Sequence, residues 1–189
     1  MSIGRPVPLA RALEIAQQIS ELLAPVVARS KVAGSVRRQR PVVSDLEFVI
    51  EPRMQVDLLG HGTPDIEPVR KKLREIGEWA KGGDRYMQIR DVLGHEGMRL
   101  DAFLAHEPAR FAVILAIRTG PAELGQWAVT RMHRFGRRCE GGRILDMRSG
   151  AEIPCDSEQD FFRLAGLAYL PPRLRDSAGA RAPLEHAHG

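Results

Sequence analysis

Long apolar runs and paired cysteines are both scarce in this chain of 189 residues. No stretch approaches the roughly 18 consecutive apolar residues that a membrane span needs. The amino terminus lacks the order of charged, apolar and small residues that marks a secretory signal, so the expected location is cytoplasmic. The only two cysteines, Cys139 and Cys155, stand sixteen positions apart with no second Cys or His at finger spacing. That spacing excludes a zinc finger and a disulfide framework, and both side chains read as reduced thiols. What is present in quantity is a 43% hydrophobic fraction, enough for one ordinary domain or two small ones with a real core.

The formal charge of +4 is modest but unevenly placed. Arg29, Lys31, Arg37, Arg38 and Arg40 form one acid-free cluster, and Arg131, His133, Arg134, Arg137 and Arg138 form a second. Basic clusters attract phosphate backbones by releasing condensed counterions, though either alone is equally a solvated charged face; beside an acidic metal site they make nucleic acid the expected partner.

Leu9, Leu13, Ala16, Ile19, Leu23 and Val26 recur at helical spacing, predicting an amphipathic helix from Pro8 to Val27. A short strand at Lys31 to Ala33 then meets Gly34. Strands are predicted at Asp45 to Ile50 and Met54 to Leu59, with a turn at Glu51-Pro52-Arg53 between them. Ile66, Val69, Leu73, Ile76 and Ala80 predict a helix that Gly82-Gly83 ends. Strands follow at Arg85 to Ile89 and Met98 to Leu104. Beyond His106 two helices are predicted, one through Phe111, Ile114, Leu115 and Arg118 and one through Leu124, Trp127, Ala128, Met132 and Phe135. A hairpin follows through Cys139 to Ile153. Ser157 and Asp160 have the spacing of a capping box that opens a short helix through Leu164, and Ser177 to Gly189 reads as a frayed tail. The outline is an α+β fold: a catalytic layer over residues 1–106, then a small helix-and-hairpin lobe over 107–176.

The chemistry concentrates in one stretch. Gly34-Ser35 stands where a strand should hand over to a helix, a junction whose free amides and dipole suit an anion. Next come Asp45-Leu46-Glu47, whose two acids emerge on one strand face while Leu46 and Phe48 turn inward. Two carboxylates about 4 Å apart repel by roughly 4 kcal/mol at an effective dielectric near 20, so the pair invites a divalent cation. Mg²⁺ takes carboxylates plus substrate phosphates. A third acid lies within the apolar strand Arg99-Leu100-Asp101-Ala102-Phe103; beside the first strand it would complete three carboxylates suited to in-line displacement.

The run Ala33-Gly34-Ser35-Val36-Arg37-Arg38, then Asp45-Leu46-Glu47, Arg99-Leu100-Asp101 and Arg118-Thr119-Gly120 resembles the nucleotidyltransferase core of family X DNA polymerases. The stretch from Glu158 through Leu164-Ala165-Gly166-Leu167 to Pro171-Pro172-Arg173-Leu174-Arg175 resembles the close of that family's nucleotide-binding lobe. The resemblance implies a mixed-sheet palm, and a metal-dependent enzyme that extends a DNA 3′-hydroxyl from a deoxynucleoside triphosphate at gaps or ends. It implies that Asp45, Glu47 and Asp101 ligate Mg²⁺ or Mn²⁺ and that Ser35 and Arg38, with Gly34, hold the triphosphate. Arg99 would support the primer end, and Thr119-Gly120 the nucleotide's sugar and base. Arg37, Arg40, Arg131, Arg134 and Arg137 would meet the DNA backbone of a monomer lacking the lyase and helix-hairpin-helix domains of larger relatives.

Departures from the family pattern are specific. Ser44 stands where a Gly is usual and Glu47 where an Asp is usual; Ile117, Arg118, Pro121, Gly125 and Val129 replace residues that read sugar, base and template. Two alternatives accompany the reading: a nucleotidyltransferase acting on RNA or a protein hydroxyl, and a catalytically silent DNA-binding module.

Overall fold

The computed structural model describes residues 5–56, 58–107 and 109–176. The predicted tail at Ser177 to Gly189 lies outside them. Two compact units are present, one up to Glu107 and one after it.

The first unit runs β1 (Val7–Pro8), α1 (Leu9–Leu23), β2 (Val27–Val32), α2 (Gly34–Arg37), β3 (Val42–Val43) and β4 (Asp45–Val56). It continues with β5 (Gly62–Asp65), α3 (Glu67–Glu75), β6 (Glu78–Gly82), β7 (Tyr86–Arg90) and β8 (Arg99–Leu104). Its sheet has the order β2-β4-β8-β7-β6, with β5 paired to the far end of β4. β4 and β8 run parallel, and every other pairing is antiparallel.

One face of this sheet is apolar. Leu46, Phe48 and Ile50 of β4, Leu100, Ala102 and Leu104 of β8, and Met87 and Ile89 of β7 are buried there against α1 and α3. Helix α1 contributes Ala12, Ile15, Ala16, Ile19 and Leu23, a stripe at three- and four-residue spacing. Each fully buried Ile or Leu in it is worth about 2 kcal/mol relative to exposure. Strand alternation sends the intervening residues of β4, β7 and β8 to the opposite face, where Asp45, Glu47, Arg99, Asp101, Tyr86 and Gln88 are polar and Val49 and Phe103 are apolar.

Two local expectations are corrected. The turn expected at Glu51-Pro52-Arg53 is absent: β4 passes straight through it. The register against β2 shifts between Val27 and Arg29, where Pro52 lies opposite Val27, and this irregularity accommodates a residue with no N–H to donate. The strand then exchanges partners, and Arg53 to Val56 pair with β5. The helix expected to reach Ala80 stops at Glu75, and Trp79 and Ala80 belong to β6 instead. Gly77 is the hinge; a Cβ there would lie 2.5 Å from the Arg90 carbonyl oxygen, so only glycine lets the chain enter the edge of the sheet at that point. Trp79 pairs with Ile89 across the strands, with the Arg74 guanidinium 4.8 Å from its ring centre. At the amino-terminal end α1 is shorter than predicted and β2 longer, because Pro25 bars further helix and Val27 already joins the sheet.

The second unit comprises α4 (Phe111–Thr119), α5 (Ala122–Met132), β9 (Arg137–Glu140), β10 (Arg143–Asp146), β11 (Glu152–Ile153) and α6 (Glu158–Leu164). Its three strands form an antiparallel sheet in the order β11-β10-β9. Val113, Leu124, Ala128, Met132, Ile144, Phe161 and Phe162 are among its core residues. The predicted capping box is present: the Ser157 hydroxyl accepts from the Asp160 amide at 3.0 Å, and the Ser157 amide donates to the Asp160 carboxylate at 3.2 Å. The whole is a mixed α+β architecture with a mixed sheet and, among the described residues, six α-helices. Among the described residues, no helix is long and apolar enough to cross a membrane.

Candidate active site

The polar face of the first unit's sheet gathers the three acids. In the parallel register Asp45 lies opposite Arg99 and Glu47 opposite Asp101; on the other side of β8, Gln88 lies opposite Asp101. Directly paired residues project to the same face, and neighbouring strands are about 4.8 Å apart. Asp45, Glu47, Arg99, Asp101 and Gln88 therefore form one contiguous polar patch on adjacent rungs.

Arg99 spans two of the acids. Its Nη2 donates to Asp45 Oδ2, and its Nε lies 3.0 Å from Asp101 Oδ2. Burial, which disfavours the charged guanidinium, is outweighed by the Asp101 and Asp45 carboxylates, and the Arg99 pKa is raised above its ordinary value. Asp101 is only 7% exposed. Its other oxygen, Oδ1, accepts from the Tyr86 hydroxyl at 2.6 Å and from Gln88 Nε2 at 2.8 Å. Burial, and then the hydrogen bond to Asp101, push the Tyr86 hydroxyl far above the ordinary tyrosine range, so it is a protonated donor at neutral pH.

The Gly34 turn adjoins this patch. Gly34 has a φ of +58°, and a Cβ on it would fall 1.8 Å from Glu47 Oε2. The Glu47 carboxylate is thus folded against the backbone of Gly34, the close approach that glycine permits. Helix α2 is a single turn of 4 residues, too short for the dipole that the sequence reading invoked. Its backbone is nonetheless tied down, with the Arg38 and Arg40 amides donating to the Gly34 and Ser35 carbonyls at 3.1 and 3.0 Å. The Ser35 Oγ is buried with no hydrogen-bond partner among the described residues, a polar atom suited to a ligand's oxygen.

The donor set fits a hard divalent cation, because three carboxylates on adjoining rungs offer oxygen ligands with no thiolate or imidazole among them. Among the described residues, no three His, Cys, Asp or Glu side chains are already drawn together as a metal cage. Asp45 and Asp101 are held by the Arg99 guanidinium instead.

The remaining predicted residues are dispersed. Arg37 ends α2 and Arg38 follows it, both half-buried, while Arg40 is exposed. In the second unit Thr119 ends α4 with its side chain fully buried, so the surface of that turn belongs to Gly120. Arg131 lies on α5 with its guanidinium 5.8 Å from the Trp127 ring centre. Arg134 is exposed, and Arg137 donates to the Leu164 carbonyl at 2.8 Å, a bond that ties β9 to the end of α6.

Sequence reasoning missed Tyr86 and Gln88. The signal was available: within Tyr86-Met87-Gln88-Ile89 the polar residues alternate with two core residues, which puts both on the face of Asp101. It also missed the buried pair in which Arg175 Nη1 donates to Glu158 Oε1 at 2.8 Å, locking the carboxy-terminal turn onto α6. No family model matches the chain, and no curated protein matches it.

Proposed function

We propose that this protein is a metal-dependent DNA nucleotidyltransferase of the family X polymerase type, with the first unit as its palm. The observation that carries the reading is the parallel β4–β8 register, which sets Glu47 opposite Asp101 and Asp45 opposite Arg99 beside the Gly34-Ser35 turn. Like charges gathered on one half-buried face are destabilising unless counter-charges serve them; Arg99 serves Asp45 and Asp101, and a divalent cation would serve all three acids.

In this reading Asp45, Glu47 and Asp101 hold Mg²⁺ or Mn²⁺. When bound, the cation screens the triphosphate and stabilises the oxygens that enter and leave phosphorus. The protein's own groups do the positioning. Gly34 lets the backbone approach the β and γ phosphates, the Ser35 hydroxyl donates to them, and Arg38 neutralises them. Arg99 steadies Asp101 and the primer end. The family resemblance assigns sugar and base to Thr119-Gly120 of the second unit. The primer 3′-oxygen attacks the α-phosphorus as its proton passes to solvent water; the bond from that phosphorus to the bridging oxygen breaks, and pyrophosphate leaves. Arg37, Arg40, Arg131, Arg134 and Arg137 supply sequence-independent backbone attraction.

The test is primer extension on gapped, recessed and single-stranded DNA with Mg²⁺ or Mn²⁺, each deoxy- and ribonucleotide supplied separately. Extension of gapped duplex by deoxynucleotides is the expected result. Label appearing only on RNA or on a protein hydroxyl would transfer the same chemistry to another acceptor. DNA binding without transfer under any condition would leave a silent binding module.

A further inference from the structure

Asp101 is supported from the neighbouring strand β7 as well as by Arg99. Gln88 stands directly opposite it in the β7–β8 register, and Gln88 Nε2 donates both to Asp101 Oδ1 at 2.8 Å and to the Tyr86 hydroxyl oxygen at 3.0 Å. The Tyr86 hydroxyl in turn donates to the same Oδ1 at 2.6 Å, which closes a three-membered network. The tyrosine ring is itself held. It lies 5.3 Å from the Phe103 ring, centre to centre, and the Lys81 ammonium sits 5.6 Å from its centre.

Two donors on one carboxylate oxygen fill its two lone pairs. Oδ1 is therefore saturated by the protein, and Oδ2, which faces Arg99 Nε at 3.0 Å, is the oxygen left to meet a cation. The carboxylate plane is fixed as well, because a group gripped at one oxygen from two directions cannot rotate about its terminal bond without breaking a short hydrogen bond.

We infer that Tyr86 and Gln88 are positioning residues that lock Asp101 so that Oδ2 alone is offered to the divalent cation. The inference rests on the nucleotidyltransferase reading of this face and extends it to two residues on a different strand. Neither touches substrate; both act through Asp101. Removing such outer hydrogen bonds weakens metal affinity by about 10- to 100-fold where they orient a ligand.

The experiment is Mn²⁺ binding to the full chain, read as free Mn²⁺ by electron paramagnetic resonance. Tyr86→Phe keeps the ring and its packing on Phe103 and deletes only the hydroxyl. Gln88→Met removes the amide at similar volume and serves independently if the tyrosine variant fails to fold. Each is expected to weaken Mn²⁺ binding about 10- to 100-fold, and neither to weaken it further in an Asp101→Asn background. Binding within about twofold of the unsubstituted protein in both variants overturns the inference. So does an equal loss in the Asp101→Asn background, which would mark a general structural effect. If the unsubstituted protein binds no Mn²⁺, the functional reading fails and the inference with it; normal binding that ignores Tyr86 and Gln88 defeats the inference alone.

Discussion

Replacing Gly34 by alanine should separate folding from function. Two effects follow from the local geometry. Gly34 has a φ of +58°, which costs an L-residue about 1–2 kcal/mol, partly offset by the lower entropy of the unfolded alanine chain. The new Cβ would also lie 1.8 Å from Glu47 Oε2 and 2.7 Å from Glu47 Cδ, where a comfortable separation is about 3.5 Å. The carboxylate must therefore retreat by well over about 1 Å. Because it is the end of a flexible arm, it can do so with little loss of stability. The expected net destabilisation is about 1 kcal/mol in urea denaturation. Function should suffer far more, since displacing a catalytic group by about 1 Å costs on the order of 100-fold in rate. In a Glu47→Ala background the same glycine substitution should retain its backbone penalty of about 1 kcal/mol and lose the clash. Undiminished extension by Gly34→Ala would refute the argument. So would a loss of stability above about 3 kcal/mol that persists when Glu47 is alanine.

Other outcomes follow from other parts of the molecule. The Arg175 side chain is 0% exposed beside Glu158 at 8%, so Glu158→Ala should lower stability by about 3–5 kcal/mol through an abandoned buried charge, while Glu158→Leu with Arg175→Met should recover most of it in thermal unfolding. Burial pushes the Cys139 thiol up to about 11 and, with the nearby acids Asp160 and Asp156 adding to it, Cys155 up to about 12. The protonated thiols are the folded forms, so this stabilisation is complete below the unfolded thiol pKa near 9 and declines as pH rises from there toward the folded values. Denaturation curves at about pH 10 should show a loss of roughly 1 to 3 kcal/mol relative to neutral pH, and a Cys139→Ala/Cys155→Ala variant should lose most of that dependence. Affinity for gapped DNA should fall linearly with the logarithm of salt concentration, with Arg40→Ala and Arg134→Ala each reducing the slope by about 1.

How much could be read from the chain depended on whether the signal was local. The Ser157–Asp160 box and the alternation of Asp45-Leu46-Glu47 are encoded by near neighbours and reappear in the structure as expected, whereas the α1 stripe is rotated: Ala16, Ile19 and Leu23 are buried as expected, but Ala12 and Ile15 join them and Leu13 is exposed. The errors arose where tertiary pairing overruled a local pattern. Ile76 and Ala80 keep helical spacing with Leu73, yet Gly77 admits the chain to the sheet edge and the following residues pair with β7. Pro52 looks like a turn residue, yet a shift in the β2 register absorbs it. The candidate site shows the same division. Its acids announced themselves as charges inside apolar strands. Tyr86 and Gln88, by contrast, gain meaning only from a strand pairing that brings them to Asp101 from 15 and 13 residues away. The fold of Glu47 back over Gly34 is likewise a tertiary fact, prepared by a glycine whose positive φ no local pattern required.

The proposed transfer by the β4–β8 acids is best probed by single-turnover extension of a gapped duplex with Mg²⁺, comparing the unsubstituted protein with Asp101→Asn at matched folding. One nucleotide added and one pyrophosphate released by the unsubstituted protein, with a rate at least about 100-fold lower in Asp101→Asn, is the expected result. Equal extension by the two proteins would show that Asp101 does not hold the catalytic cation.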